Sequence, residues 1–237
     1  FDESEMAMSV ARRYQTQHEV IRLDPNLEDL LPLIVTAYDE PFADSSQIPT
    51  HLVSRMAREH VTVALSGDGG DELFGGYDRY RQLDRLARVR ERLPSGLRHL
   101  IGRGMLAMPV SVWDTLGASL LGRAFPPTVR HRTGHRAHKT GRVLTSDRAV
   151  DLYDALMSVD DDADRMVIGG HRASDRVADI QRVDSITGLT AGERAMLVDT
   201  LSYLPDDLLT KVDRASMAVS LEVRVPFLDP DLFQFAW

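Results

Sequence analysis

A glycine-rich acidic segment directly after a short apolar strand constrains the fold of this chain more than any other feature. Ser66–Tyr77 reads SGDGGDELFGGY and follows Val61–Leu65, which predicts a strand. Helical patterns at 27–34 and 49–59 precede that strand, and alternating polar and apolar residues at 18–23 predict an earlier one. The order strand, helix, loop, helix, strand favours a parallel α/β unit, in which ligands bind where strands end.

The composition of Ser66–Tyr77 is more typical of a binding loop than of a packing element. Its five glycines let the backbone approach a ligand closely and adopt positive φ angles. Its three acidic residues suit Mg²⁺, proton transfer or an ammonium group. A flexible acidic turn is the alternative interpretation of the same composition.

A second segment, Tyr203–Arg214, places a lysine on a predicted helix. Pro205 suits the first turn of that helix, and Lys211 lies off its apolar face. Lys139 is the only other lysine among 28 basic residues, so Lys211 stands out. A compact ammonium suits a phosphate or an acyl-adenylate, whereas an exposed lysine beside Asp207 would form only a weak surface ion pair.

Composition excludes some classes of function. The 237 residues contain no cysteine, which excludes a disulfide, a thiolate metal site and a cysteine nucleophile. No apolar run reaches the length of a membrane span, so we expect no membrane partner. We expect a cytoplasmic location, and the absence of cysteine is compatible with it. The net charge is −8, although Arg79–Arg142 carries an excess of 11 positive charges. That block is either a solvated helical face or a nucleic-acid surface; its few aromatic residues favour the former.

The sequence changes character near Tyr80. Residues 1–80 read as an α/β portion, and residues 81–237 read as mainly helical. An acidic run at 160–162 reads as a solvated turn. Within the helical portion we predict an irregular basic stretch at 130–142 and helices at 147–157, 191–201 and 205–220.

Three segments together resemble the synthetase domain of the glutamine-hydrolysing asparagine synthetase family. They are Ser66–Tyr77, Asp39–Ser46 (DEPFADSS) and Leu204–Asp229 (LPDDLLTKVDRASMAVSLEVRVPFLD). The resemblance runs over the whole chain, is weakest through 79–184, and extends to β-lactam synthetases and to amidotransferases of surface-polysaccharide clusters. It implies an α/β fold like that of adenine-nucleotide α hydrolases (PP-loop ATP pyrophosphatases), with a parallel sheet and a mainly helical second portion.

The family resemblance also implies a chemistry. These enzymes use MgATP to adenylate the side chain of aspartate, and ammonia from a glutaminase domain then displaces AMP from β-aspartyl-AMP. Asp68 matches the acidic residue that handles the adenylate and the amine, and Lys211 matches a lysine that stabilises charge there. Glu222 and Arg224 read as an ion pair that braces the lysine helix. The remaining positions implied are the ATP-binding Ser66, Gly67, Gly69 and Gly70, and the Mg²⁺ ligand Asp71.

Two departures from the family pattern shape the expectations. The pyrophosphate-binding Ser-Gly-Gly-x-Asp-Ser loop and the glutaminase domain are not in the sequence, so we expect a fragment that lacks the first strands, binds ATP poorly and is inactive alone. We also expect it to be marginally stable, with apolar surface exposed at its strands. Position 68 is Asp where asparagine synthetases commonly have Glu.

The open alternatives are the same chemistry on another carboxylate, in a sugar acid, a peptide or a β-lactam precursor, and a scaffold without catalysis. We expect small-molecule substrates, the glutaminase domain of the full-length chain as a partner, no nucleic acid, and a homodimer as one option for assembly.

Overall fold

The computed structural model describes residues 4–20, 27–118, 133–146, 152–153, 157 and 182–237. The chain forms two compact units, and each is discontinuous in sequence. Unit 1 comprises Phe1–Ala64 and Lys211–Arg224, and unit 2 comprises Leu65–Thr210 and Val225–Trp237.

The described elements follow one another as α1 (Ser4–Tyr14), α2 (Leu27–Tyr38), α3 (Gln47–His60), β1 (Val63–Leu65), α4 (Gly70–Phe74), α5 (Asp78–Arg92), α6 (Ser95–Ala107), α7 (Val110–Ala118), α8 (Thr133–Thr145), α9 (Ala191–Leu201), a π-helix (Leu204–Leu209), α10 (Thr210–Met217), β2 (Glu222–Arg224), a 3₁₀-helix (Pro226–Leu228) and α11 (Pro230–Ala236).

A small parallel sheet and two packed helices characterise unit 1. Strands β1 and β2 pair side by side, and the Glu222 amide extends the ladder by donating to the Thr62 carbonyl at 3.0 Å. Helices α2 and α3 bury apolar side chains, because the helical spacing of these residues puts them on facing stripes. The members of this core are Leu30, Ile34, Tyr38 and Leu52.

Unit 2 is helical and has the larger core. Helices α5, α8 and α9 contribute most of its buried apolar side chains, which are Tyr80, Leu83, Val143, Leu152, Tyr153, Val183, Ala195 and Val198. Helices α6 and α8 approach each other closely where Gly102 faces Gly141. A Cβ on Gly102 would lie 2.7 Å from the Gly141 carbonyl oxygen, so only glycine fits there. The predicted α/β class with a mainly helical second portion is confirmed.

Several predicted elements are confirmed and others are corrected. The helix at Ala191–Leu201 has the predicted bounds. The predicted strand at 18–23 is wrong over His18–Val20, which has no regular structure, and its remainder lies outside the described residues. The predictions at 147–157 and 160–162 fall largely or wholly outside the described residues. Exposed apolar surface at β1 is confirmed, since Leu65 is 73% exposed.

The basic stretch predicted to be irregular is instead the helix α8 over its described part. Its sequence is a poor helix former by propensity, with Gly134 near its start. Tertiary contacts override that weakness. The Asp114 carboxylate, on α7, accepts a hydrogen bond from the Gly134 amide at 2.8 Å, and Arg98 on α6 donates to the Leu144 carbonyl at 3.3 Å near the other end. A neighbouring helix thus supplies a hydrogen-bond partner for one backbone group at each end of α8.

The single helix predicted at 205–220 is divided in two. A π-helix spans Leu204–Leu209, and α10 begins at Thr210. The Thr210 hydroxyl donates to the Pro205 carbonyl, five residues earlier, at 2.9 Å. Wide turns of this kind are rare and often occur at functional sites.

A buried carboxylate connects the helices of unit 2. Asp199, on α9, is 0% exposed. Its Oδ2 accepts hydrogen bonds from Nε and Nη2 of Arg79 at 3.0 and 2.8 Å and from the Tyr80 hydroxyl at 2.7 Å, and its Oδ1 accepts one from the Tyr153 hydroxyl. Burial and the Asp199 charge raise the pKa of Tyr80, which therefore remains a donor. A buried charge is tolerated when it is paired and hydrogen-bonded in this way.

The described residues include no helix that is both long and apolar enough to cross a membrane.

Replacing Asp199 with Ala should lower the free energy of unfolding by about 3–5 kcal/mol, because the substitution leaves the Arg79 guanidinium and two tyrosine hydroxyls without their acceptor. Urea unfolding of the full-length protein, followed by tryptophan fluorescence, measures the change. Glu91→Ala, at an exposed position on α5, is the control and should shift stability by less than about 0.5 kcal/mol. Equal unfolding midpoints for the two variants would contradict the central role of Asp199.

Candidate functional site

The glycine-rich loop forms a tight turn between β1 and α4 in unit 2. The Gly70 amide donates to the Gly67 carbonyl at 3.2 Å, and Gly69 has a φ of +82°, in the left-handed region that favours glycine. Because Gly69 is also the N-cap of α4, this turn sets the direction in which the helix begins.

The three glycines of the turn have different surroundings. A Cβ on Gly67 would meet no atom within 4 Å, so this position faces open space. A Cβ on Gly69 would lie 3.3 Å from Leu228, and one on Gly70 would lie 3.2 Å from the Phe227 ring. The predicted ATP contacts therefore divide into two kinds. Gly67 is accessible to a ligand, whereas Gly69 and Gly70 are close-packed against the 3₁₀-helix.

Polar groups of the loop lack partners within the protein. The Ser66 hydroxyl oxygen is buried and has no hydrogen bond to any described residue. The carboxylates of Asp68 and Asp71 also have no hydrogen bond or ion pair within the described part of the chain, and Asp71 is exposed. Buried polar groups are nearly always satisfied in folded proteins, so the Ser66 hydroxyl is a place where a ligand atom would bind favourably.

The carboxylate of Asp71 lies directly beside Gly76. Helix α4 ends at Gly75, whose φ is +69°, and the Gly76 amide donates to the Asp71 carbonyl at 3.0 Å. The Asp71 carboxylate occupies the space where a Cβ of residue 76 would be. Gly76 is therefore required for the observed position of this predicted metal ligand.

Glu72 differs from its two acidic neighbours because its side chain points into the core of unit 2. It is 1% exposed, and neither carboxylate oxygen has a hydrogen-bond partner in the described structure. Burial raises the pKa of the Glu72 carboxyl above its ordinary value. Its own amide and the Tyr77 hydroxyl lie nearby without good hydrogen-bond geometry, and they offset only part of that rise.

An arginine and two tyrosines connect the end of the loop segment to the Asp199 network. The Arg79 guanidinium carbon lies 3.8 Å from the centre of the Tyr77 ring and 4.9 Å from that of Tyr203. Cation–π contacts of this kind stabilise partly buried arginines. Burial lowers the pKa of Arg79, but the charge and hydrogen bonds of Asp199 raise it by a larger amount. The net shift of the pKa is upward, so the guanidinium remains charged.

Lys211 is in unit 1 and is buried rather than exposed. Its side chain is 9% exposed, and its ammonium donates to Oδ2 of Asp44 and to the Ser46 hydroxyl oxygen, each at 2.7 Å. The Tyr38 hydroxyl donates to the Lys211 carbonyl at 3.0 Å and fixes the backbone there. The alternative interpretation of Lys211, as an exposed lysine beside Asp207, is therefore wrong, because Lys211 is buried and pairs with Asp44.

Both cations of α10 pair with the acidic segment Asp39–Ser46. Burial raises the pKa of Asp44, but the hydrogen bonds from Lys211 and Ser46 and the lysine charge outweigh burial and hold that pKa below its ordinary value. Arg214 pairs with Asp39 at 3.0 Å, with side chains 47% and 75% exposed. The pair between Lys211 and Asp44 is thus largely shielded from solvent. The pair between Arg214 and Asp39 is exposed and contributes little to stability.

The predicted ion pair between Glu222 and Arg224 exists at 2.8 Å, but it joins two residues of the same strand. Both side chains are more than half exposed, at 54% and 67%. Such a pair contributes under about 1 kcal/mol, so the bonds made by Lys211 and Tyr38 hold α10 more firmly than this pair does.

Magnesium could use Asp71 as a single protein ligand. No group of three or more His, Asp or Glu side chains in the described residues could hold a metal ion. An exposed, unpartnered carboxylate nevertheless fits Mg²⁺, which commonly takes one or two carboxylates together with substrate phosphates. The residues present are therefore compatible with a magnesium–nucleotide complex.

Sequence reasoning missed several residues that the structure brings forward. Asp44 and Ser46 lie in a segment that carried the resemblance but had no assigned role, and Asp199 lies in a helix with no distinctive pattern. The shortage of lysine pointed to Lys211, and it could have prompted a search for an acidic partner.

Comparison with known proteins places the whole chain in one group. The family model described as Asparagine synthase matches residues 1–237. The chain is 35% identical over 206 residues to glutamine-hydrolysing asparagine synthetase 1 of Bacillus subtilis (strain 168), covering 87% of this chain and 29% of that protein. It is 33% identical over 240 residues to a provisionally named glutamine-hydrolysing asparagine synthetase of Mycobacterium bovis, covering 100% of this chain and 33% of that protein.

The chain thus spans about a third of the length of the curated relatives it matches. No solved structure matches the chain significantly.

Replacing Glu72 with Gln should change how stability depends on pH. In the unfolded chain the carboxyl ionises near its ordinary pKa of about 4.3, whereas the folded protein retains the proton to higher pH. The free energy of unfolding of the native protein should therefore fall as pH rises through this interval and level off above the folded pKa. The free energy of unfolding of the Gln variant should not fall in this way, so the difference in stability between the variant and the native protein should grow with pH.

Urea unfolding at a series of pH values measures that difference. Glu91→Gln, an exposed counterpart on α5, should leave the pH profile unchanged. Parallel profiles for the native protein and the Glu72 variant would show that Glu72 ionises normally in the fold.

Proposed function

Because this chain belongs to the asparagine synthase family, we propose that the full-length protein is an ATP-dependent carbon–nitrogen ligase that makes asparagine from aspartate and glutamine-derived ammonia. The same relatives support a proposed glutaminase domain as a partner within the full-length chain, with small molecules as substrates. A cytoplasmic location remains part of this proposal.

The geometry of the Ser66–Gly67 turn is the observation that best supports the proposal. It combines an open glycine, a buried hydroxyl without a partner and two unpartnered carboxylates at the end of a parallel strand. Ligands of open α/β sheets bind at that edge. Close packing of Gly69 and Gly70 on Phe227 and Leu228 makes the turn rigid, which suits a preorganised nucleotide site.

The proposed reaction has two steps. A carboxylate oxygen of aspartate attacks the α-phosphorus of ATP, and the bond from that phosphorus to pyrophosphate breaks to give β-aspartyl-AMP. Ammonia then attacks the acyl carbon, AMP leaves with the bonding electrons, and a proton from nitrogen passes to Asp68. Asp68 is free for this role because no described residue is bonded to its carboxylate.

The remaining roles follow from charge. Ser66 and Gly67 bind the nucleotide, and Gly69 and Gly70 shape the turn around it. Asp71 holds Mg²⁺, which when bound offsets negative charge on phosphate oxygens. Lys211 supplies an ammonium for the negative charge of the adenylate.

Aspartate-dependent exchange of pyrophosphate into ATP by the full-length protein tests the proposal. Lys211→Ala should reduce the exchange rate by about 10²–10³-fold, as expected when one preorganised donor is removed from a developing charge. Lys139→Ala, at the chain's other lysine, should retain the native rate. Absence of exchange with aspartate in native protein that binds MgATP would reject aspartate as the acceptor and direct the search to other carboxylates.

Gly76→Ala tests the proposed metal role of Asp71. The new methyl group would collide with the Asp71 carboxylate and displace it, so the Mg²⁺ concentration for half-maximal MgATP binding should rise by about tenfold or more. Calorimetric titration with MgATP at varied Mg²⁺ measures this shift. Gly104→Ala is the matched control, because a Cβ there meets no atom within 4 Å. An unchanged Mg²⁺ requirement in Gly76→Ala would argue against Asp71 as a ligand.

A further inference from the structure

The Lys211 ammonium has one hydrogen left for a ligand. A lysine ammonium carries three donors. Two of them are taken by Asp44 and Ser46 at 2.7 Å each, and no other partner of the ammonium exists among the described residues. Because the side chain is nine-tenths buried, this geometry is held by packing and not by solvent.

The two acceptors are themselves fixed. Oδ1 of Asp44 accepts hydrogen bonds from the amide and hydroxyl of Ser46 at 2.8 Å each, and Oδ2 lies 2.8 Å from the same hydroxyl. The Thr50 amide and hydroxyl in turn donate to the Ser46 carbonyl at 3.0 and 2.8 Å, so Ser46 is tied to the first turn of α3. Neither acceptor can rotate without losing several bonds, and the direction of the third ammonium hydrogen is therefore determined.

The charge balance suits an anionic ligand. The Asp44 carboxylate is ionised, because its hydrogen bonds and the lysine charge hold its pKa below the ordinary value. Its negative charge is shared among the ammonium, one hydroxyl and one amide. An anion at the third hydrogen would thus meet a positive donor whose counter-charge, on Asp44, is already engaged by two other donors, the hydroxyl and the amide of Ser46.

We propose that Asp44 and Ser46 are positioning residues that hold the Lys211 ammonium with its third hydrogen available to a phosphate oxygen of the nucleotide or pyrophosphate. The inference rests on the proposed function only for the identity of this anion. A purely structural tie between α10 and the segment Asp39–Ser46 is the competing explanation. The two differ because only an anion contact makes pyrophosphate affinity depend on how the ammonium is held.

Pyrophosphate binding to the full-length protein, measured by calorimetry in the presence of Mg²⁺, separates these explanations. Asp44→Asn and Ser46→Ala should each raise the pyrophosphate Kd by about 10-fold or more, as expected when a hydrogen bond to a charged group is misaligned. Ser46→Thr keeps the hydroxyl and should restore the Kd to within about threefold of native.

The matched control is Asp39→Asn. It makes the same chemical change in the same segment and breaks the exposed pair with Arg214. Asp39 has a φ of +59°, a conformation that Asn also adopts readily. This variant should bind pyrophosphate as the native protein does. Asp44→Asn and Ser46→Ala proteins that are folded and bind pyrophosphate normally would overturn the proposal, as would an equal loss in Asp39→Asn.

Two further outcomes are distinguishable. If Asp44→Asn does not fold, the Ser46 variants decide, because they leave the ion pair intact. If the native protein binds pyrophosphate with the expected dependence on Asp44 but shows no aspartate-dependent exchange, the proposed function fails while the anion contact stands.

Discussion

A single buried carboxylate organises the helical unit. The side chain of Asp199 has no exposure to solvent and accepts hydrogen bonds from Arg79, Tyr80 and Tyr153. Arg79 also packs against the ring of Tyr77 and thereby connects this network to the loop segment. An ionised group in such a place is tolerated only while all its partners are present. The geometry of α5 and α9, and with it the end of the glycine-rich segment, therefore depends on one charge being satisfied.

Packing brings together two sequence motifs that lie far apart in the chain. A Cβ on Gly69 of the first motif would lie 3.3 Å from Leu228 of the second, and one on Gly70 would lie 3.2 Å from Phe227, so both glycines are closely packed there. The edge of the Phe74 ring adds a contact, with ring centres 5.9 Å apart. These contacts pack the second half of the turn closely, while Gly67 faces open space. Gly69 and Gly70 thus contribute to the packing of the turn.

Sequence reasoning identified Lys211 but did not identify the residues that surround it. The rarity of lysine singled the residue out, and helical periodicity placed it off the apolar face, which left an exposed position open as the alternative. The structure buries it against Asp44, which lies 167 residues earlier in the chain. Local periodicity describes one helix by itself, and it contains no information about which other segment covers a polar face. The same limit explains the basic stretch before Arg142, where Asp114 and Arg98 stabilise a helix that propensity alone disfavours.

The sequence by itself determined the α/β class, the strand followed by a glycine-rich turn, the bounds of helices such as Ala191–Leu201, and the family through three ordered motifs. These features depend on local backbone preference and periodicity, which neighbouring residues encode. Only the tertiary structure decided which acidic residues are partnered, buried or open. Asp199, Glu72 and Asp71 are all carboxylates on helices, yet one is an anchor, one is buried without a partner and one is exposed. Desolvation and pairing depend on residues distant in sequence, and folding alone brings those together.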